Sequence, residues 1–389
     1  MAIPSSGSLS FADIQTEFGG TNPISLTEYY AGGGRVAAGT SGTYGAVPSS
    51  GQISTKNFFG TSAVPPTYVQ DVFSTNIFSG GATINNGINL STYGGMVWTK
   101  NRNNPYDHNL WDSARGTDYR LFSNSTAAQQ FYSGYGPVFN SNGWTDRVSA
   151  GGATENVGWT FRKKSKFFDI VTYTGDGAND RAISHNLGSL PGCVIIKSLN
   201  YADDWYVVHV GYPYYLRYTL LNSSASSGTT PGGSAPGAIQ FFSPYGDSTF
   251  YVHSYSPYTN GWNLNTSGRT YVAYLFANNS GGFGSSGNDN AITCGGYIGS
   301  GVAGDPTINL GYQPQWIMIK KANNTGSWYI VDATRGVNKY VLANSANGES
   351  TLSPSVVTIT STGFIVATNN TELNEGGYSF IYIAIRAPM

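Results

Sequence analysis

Three times this chain runs an apolar stretch into a lysine: Met96-Val97-Trp98-Thr99-Lys100, Cys193-Val194-Ile195-Ile196-Lys197 and Trp316-Ile317-Met318-Ile319-Lys320. An Asn-Leu pair precedes each, with Asn89, Asn186 and Asn309 lying 11 residues upstream of their lysines. Asn124 and Asn344 follow at 24 residues, and Asn222 at 25. Spacing kept while the intervening identities diverge marks a repeated scaffold, not repeated chemistry. It divides 389 residues, too many for one growing core, into copies of one structural problem.

Within the third copy, Asn323-Asn324-Thr325-Gly326 reads as a hairpin turn before the alternating run Trp328-Tyr329-Ile330-Val331. Further strands are expected at Lys339 to Leu342, Ser355 to Ile359, Gly363 to Val366 and Phe380 to Ile385. The second copy has the matching run Trp205 to Val208. Many short strands with almost no helical periodicity predict an all-β fold: three tandem antiparallel β-sandwich domains of jelly-roll or lectin type, behind a small segment with short helices. Gly, Ser and Pro-rich breaks place the boundaries at 1–60, 66–166, 167–280 and 281–389.

Charged residues are only 11% of the chain, against 51 Gly and 28 Tyr, so Ser, Thr, Asn and tyrosine hydroxyls must solvate the surface. The net charge of -1, with no basic run beyond Arg162-Lys163-Lys164 and Lys166, excludes nucleic acid as a partner. That cluster reads as a solvated junction between repeats. No stretch of about 20 apolar residues is present and no charged-then-apolar leader opens the chain, so no membrane insertion is expected, and synthesis in a host cytosol is. Cys193 and Cys294 occupy nonequivalent positions of their repeats and read as small buried residues, not a disulfide framework.

A shorter repeat occupies residues 1–60: Leu9-Ser10-Phe11-Ala12-Asp13-Ile14, Ile24-Ser25-Leu26-Thr27-Glu28-Tyr29 and Ile53-Ser54-Thr55-Lys56-Asn57-Phe58. Each is a helix start, with a serine cap and Asp13, Glu28 or Asn57 placed to reach back; only the middle copy matches the capping box strictly. Leu9, Ile24 and Ile53 are spaced to staple onto Ile14, Tyr29 and Phe58. Turns this short are marginal alone. They are therefore expected to be ordered by docking onto something larger, through Leu9, Phe11, Ile14, Ile24, Tyr29, Ile53 and Phe58.

The opening Pro4-Ser5-Ser6-Gly7 with Leu9 to Ile14, followed by Ile24 to Tyr30, resembles the amino-terminal segment shared by many tail and structural proteins of tailed bacteriophages. Val97 to Arg102 with Trp111-Asp112-Ser113-Ala114-Arg115-Gly116, Trp316 to Lys320 with Val331-Asp332-Ala333-Thr334-Arg335-Gly336, and Tyr378 to Arg386 are similar to an uncharacterised β-domain family of phage tail proteins. The second repeat departs from it, with Val208-His209-Val210-Gly211-Tyr212 where the others have Asp-x-x-Arg-Gly. The resemblance implies a virion tail fibre or appendage, docked to other tail or baseplate proteins through residues 1–60 and trimeric.

Candidate chemistry is sparse. The four histidines, His108, His185, His209 and His253, have no spacing suited to zinc or to a Ser-His-Asp arrangement. Asp112 with Arg115, and Asp332 with Arg335, read as ion pairs pinning turns. Asp176, Asn179 and Asp180 sit in a glycine-rich polar turn with too few ligands for a calcium loop. No catalytic residue, metal or cofactor is expected. Tyr201, Trp205, Tyr212, Tyr214 and Tyr215 form the densest aromatic display and are candidates for contact with host glycan or a neighbouring subunit. The expectation is non-catalytic adhesion. Alternatives are a capsid-decorating or tail-tube protein and, less favoured because no short-rung periodicity is present, a polysaccharide depolymerase.

Overall fold

The computed structural model describes residues 3–33, 35–37, 39–63, 66–147, 155–178, 181–212, 217–229, 247–252, 264–284 and 287–389. The chain divides into two compact units, Met1–Tyr68 with Gly281–Asp289 and Met389, and Val69–Ser280 with Asn290–Pro388.

In the smaller unit, helix α1 (Phe11–Phe18) and the 3-10 turns Leu26–Tyr29 and Thr55–Phe58 all begin as the capping pattern dictates. The backbone amides of Ser10, Ser25 and Ser54 donate to Asp13, Glu28 and Asn57 at 2.7, 3.0 and 2.8 Å. An aspartate or asparagine closes the loop as well as glutamate does. Strands β1 (Ser41–Gly42) and β2 (Gly45–Ala46) form a small hairpin. Ile14, Phe18, Tyr29 and Phe58 pack into one core with Ile3, Val36 and Val47, and Leu9, Ile24 and Ile53 lie against it as the staples require. This corrects the docking expectation. The three turns order one another around a core of their own, so Ile14, Tyr29 and Phe58, at most 1% exposed, are removed from any partner. Of the seven proposed docking residues only Phe11 is exposed, at 48%.

Residues 281–289, expected to open the third domain, belong to this smaller unit. Gly284 donates to the Thr67 carbonyl at 3.0 Å, and the buried Phe283 bridges Asp289.

The larger unit holds three copies of one topology. The first comprises β3 (Phe73–Ser79), β4 (Thr83–Asn85), β5 (Gly95–Asn101), β6 (Asn109–Asp112), β7 (Tyr119–Leu121), β8 (Gln130–Phe131), β9 (Val138–Asn140), β10 (Gly143–Thr145) and β11 (Glu155–Arg162). Its six-stranded antiparallel sheet runs β3-β11-β5-β6-β7-β8, faced by β4-β10-β9. The second has β12 (Phe168–Thr174), β13 (Arg181–Ser184), β14 (Pro191–Ser198), β15 (Trp205–His209), β16 (Arg217–Leu220), β17 (Gly228–Thr229), β18 (Thr249–Val252) and β19 (Thr270–Ala277), ordered β12-β19-β14-β15-β16-β17 and β13-β18. The third has β20 (Ile292–Ile298), β21 (Thr307–Asn309), β22 (Pro314–Lys321), β23 (Trp328–Asp332), β24 (Lys339–Leu342), β25 (Ser350–Thr351), β26 (Val357–Thr360), β27 (Gly363–Val366) and β28 (Ser379–Arg386), in the order of the first. The fold is all-β, built of antiparallel sandwiches.

The lysine-capped strands β5, β14 and β22 occupy the same place in each large sheet, flanked by the last strand and the hairpin partner. Alternation along them sends one face toward the small sheet and the other toward the neighbouring repeats. On that second face Phe73 and Phe161 of repeat one meet Phe168 and Phe276 of repeat two and Trp316 of repeat three, with ring centroids 5.0 to 6.0 Å apart. The expectation of separately folded modules in series gives way to three sandwiches sharing one buried aromatic centre.

Candidate functional site

The repeated lysines fasten one repeat to the next. Lys197 Nζ donates to the Thr126 carbonyl of repeat one at 3.1 Å, Lys320 to Ser224 and Ala225 of repeat two at 3.2 and 3.0 Å, and Lys100 to Ala346 of repeat three at 3.0 Å. The cycle is closed: two to one, three to two, one to three. Each ammonium also binds its own loop, as Lys100 does at Asn101 and Asn104. All three side chains are fully buried, and burial pushes each down to about 8. The carbonyl cage offsets part of that desolvation because it presents three acceptors to three N–H groups.

The asparagines 24 or 25 residues further on start the hairpin strands. Asn124, Asn222 and Asn344 accept the backbone amides of His108, Trp205 and Trp328 at 3.0, 2.8 and 2.8 Å. Those three side chains reach the preceding repeat. Trp205 Nε1 donates to Phe122 and Ser125, Trp328 Nε1 to Leu220, and His108 Nε2 to Leu342. Because the Leu342 carbonyl can only accept, Nε2 of His108 carries the proton, while Nδ1 accepts from Trp98 Nε1 at 2.9 Å. Burial holds His108 well below its ordinary value, so it is a neutral joint and not an acid or base.

At a second contact the repeats differ in chemistry. Asp332 of repeat three accepts from Trp159 Nε1 of repeat one at 3.2 Å, and Asp112 of repeat one accepts from Tyr274 Oη of repeat two at 2.6 Å. Both aspartates also bind their own arginines, Arg335 and Arg115, at 2.6 Å in fully buried pairs, which makes them structural. At the third joint the residue matching Trp159 and Tyr274 in register is Ile383, which has no donor. An aspartate there would lack its cross-repeat donor. Repeat two carries His209 instead, whose Nε2 donates to the Tyr382 carbonyl at 3.0 Å. The missing Asp-x-x-Arg-Gly of repeat two is thus matched by the missing donor of repeat three.

The covalently open joint, between the last repeat and the first, has an added clasp. Arg102 binds Glu349 through Nε and Nη2 at 2.8 and 2.7 Å, and Arg335 approaches the same carboxylate at 3.4 Å. Gln129 and Ser227, which make the equivalent backbone bonds to Leu199 and Ala322, are uncharged residues in the place of Glu349.

The proposed contact residues of repeat two divide. Trp205 is 0% exposed and Tyr212 7%, so neither offers a face to glycan: Trp205 is consumed by the joint to repeat one. Tyr201 is 54% exposed, with the Arg269 guanidinium 4.0 Å above its ring. Tyr214, Tyr215, His253, Asn179 and Asp180 lie outside the described residues. Asp176 accepts from Ala178 and Asn265, as a polar turn does.

The exposed aromatic face missed in the sequence is on repeat one. Phe131, Tyr132, Tyr135 and Tyr106 are 60, 40, 55 and 53% exposed. Tyr132 packs on Tyr135 at 5.1 Å, Phe131 on Tyr119 at 5.0 Å, and Arg120 lies 4.1 Å over Tyr132 and 4.9 Å over Phe122. Beyond Arg120 a half-open cavity of about 320 Å³ is lined by Thr99, Asn101, Tyr106, Asp107, Asn109 and Asp146, among others. The aromatic run Phe131-Tyr132-Ser133-Gly134-Tyr135 was the available signal; denser tyrosines in repeat two outweighed it. Among the described residues, no three His, Cys, Asp or Glu side chains gather to hold a metal, and no helix is long and apolar enough to cross a membrane.

A family model for a domain of unknown function, DUF7483, matches residues 69–387. The chain belongs to the DUF7483 family. The match runs through all three repeats as a single domain, which agrees with sandwiches that share a centre. No curated protein and no solved structure matches the chain.

Proposed function

We propose that this DUF7483 protein is a non-catalytic structural component of a tailed-phage virion, a tail fibre or appendage that attaches through the amino-terminal unit and adheres to the host surface. The closed cycle of repeats carries the proposal. Lys100, Lys197, Lys320, Trp159, Trp205, Trp328, His108, His209, Asp112 and Asp332 are engaged in joints, so they build a rigid body, and the surface that remains carries exposed aromatic and amide groups. Such surfaces make weak contacts that gain strength when one particle presents many copies. The resemblance of residues 3–60 to phage tail proteins supplies the virion context. Phe11, the exposed one of the seven proposed docking residues, is the residue offered to other tail or baseplate proteins. Homotrimerisation belongs to the same proposal and is measured by light scattering on the purified chain.

Labelling intact particles with an antibody to this chain tests the location. Signal at the tail tip or fibres is expected. Signal on the capsid or along the tube selects the decorating alternative, and none on the particle refutes a virion role. Loss of host polysaccharide chain length on incubation would overturn the non-catalytic part in favour of a depolymerase.

A further inference from the structure

We infer that repeat one binds a neutral saccharide unit in the cavity beside Arg120, which deepens, and rests on, the adhesion proposed above. Repeat three is the internal control. Register places Thr99, Asn101 and Asn109 opposite Ile319, Lys321 and Tyr329, Arg120 and Phe122 opposite Tyr340 and Leu342, and Asn156 opposite Phe380. In repeat three Ile319, Tyr329 and Phe380 are buried together with Leu373 and Val366, and Tyr340 and Leu342 pack against them. The two sheets are sealed by apolar contact. In repeat one the equivalents of Ile319, Tyr329, Tyr340 and Phe380 are the polar Thr99, Asn109, Arg120 and Asn156, and the space between the sheets is open beside an apolar cluster of Phe78, Ile84, Ile88, Leu90, Val97 and Trp144. A fold that can close this core in one copy and lines it with amides and carboxylates in another gives up apolar burial that only a ligand would restore.

The lining specifies the ligand. Asn101 and Asn109 bring amides to the cavity wall, with Asn109 Nδ2 donating to the Asp107 carbonyl at 3.5 Å. Asp107 has Oδ1 bound by Asn124 at 2.6 Å, and Asp146 accepts from Gly81 at 2.9 Å, which fixes both carboxylates in place. Sugar hydroxyls are the donors that suit such a set. Arg120, held by Gln130 Oε1 at 3.1 and 2.9 Å, supplies the cationic edge. Two carboxylates against one guanidinium disfavour an anionic sugar. Tyr106, 53% exposed, brings to the cavity a ring face suited to the C–H side of a pyranose. The volume, about 320 Å³, stands at the lower end of small-molecule sites and fits a terminal unit, not a long chain.

The test is ligand-observed NMR on the full chain with glucose, galactose, rhamnose, N-acetylglucosamine, N-acetylgalactosamine and glucuronate. At least one neutral sugar should saturate with a Kd of about millimolar. Asn109→Tyr, which installs the residue of repeat three, should weaken it at least about tenfold with unchanged circular dichroism. Arg120→Met, on the rim, serves if Asn109→Tyr fails to fold, and should also weaken binding. Absence of binding by every neutral sugar, binding unchanged by either folded variant, or a preference for glucuronate would overturn the inference. Sugar binding by a chain absent from particles would refute the virion proposal and leave the site standing; the converse would do the reverse.

Discussion

Glutamine in place of Glu349 removes the charge that fastens the one joint no peptide bond spans. The Glu349 and Arg102 side chains are 11% and 8% exposed, and the pair is bidentate at 2.8 and 2.7 Å. Breaking a buried pair on one side costs about 3 to 5 kcal/mol, and glutamine retains one acceptor, so about 3 kcal/mol is expected. For a body of this size that corresponds to a fall in Tm of about 4 °C. The double variant with Arg102→Met should show a coupling of about 2 kcal/mol. Nearby arginines hold the Glu349 carboxyl below its ordinary 4.5 despite burial. Its contribution is therefore complete above 4.5 and lost as pH falls through the lower folded value, so the Tm gap between wild type and Glu349→Gln should close in acid. Differential scanning calorimetry across pH is the assay. A Tm change under about 1 °C, additive single variants, or a gap that widens in acid would refute the clasp.

The three joint lysines give the same sign of pH dependence in a more alkaline window: folded values of about 8 lie below the ordinary 10.5, so above pH 8 the unfolded chain holds protons that the folded one has released. Their contribution to stability should rise with pH across that window, and Lys197→Met should flatten the rise in Tm-against-pH scans. Trp205→Phe strands the Phe122 and Ser125 carbonyls and should cost about 1 to 3 kcal/mol in urea titration, whereas an unaltered midpoint would return Trp205 to the surface role. His209→Asp should destabilise by about 3 kcal/mol or more, because Ile383 provides no donor. Adding Ile383→Tyr should recover part of that loss, and its failure to do so would refute the matched exchange at this joint.

Strand identity was legible because it is local. Lys339–Leu342 and Gly363–Val366 form where turn residues and alternation put them, and the capping serines of residues 1–60 start their turns as expected. The repeat spacing even marked the joint residues, since lysine and asparagine were kept where the sheet between them drifted. Their role was not legible: an alternating Trp205 looks half-exposed until the neighbouring repeat covers it. The aromatic face of repeat one was likewise underrated, since tyrosine density in the chain says nothing of which rings the joints bury.

Pattern and spacing alone established an all-β chain with three copies of one sandwich, because alternation and turn chemistry act over a few residues. Tertiary structure alone decided that the copies close on one another. That closure rests on pairs such as Lys100 with Ala346 and Arg102 with Glu349, far apart in the chain, whose meeting depends on how three twisted sheets share one aromatic centre.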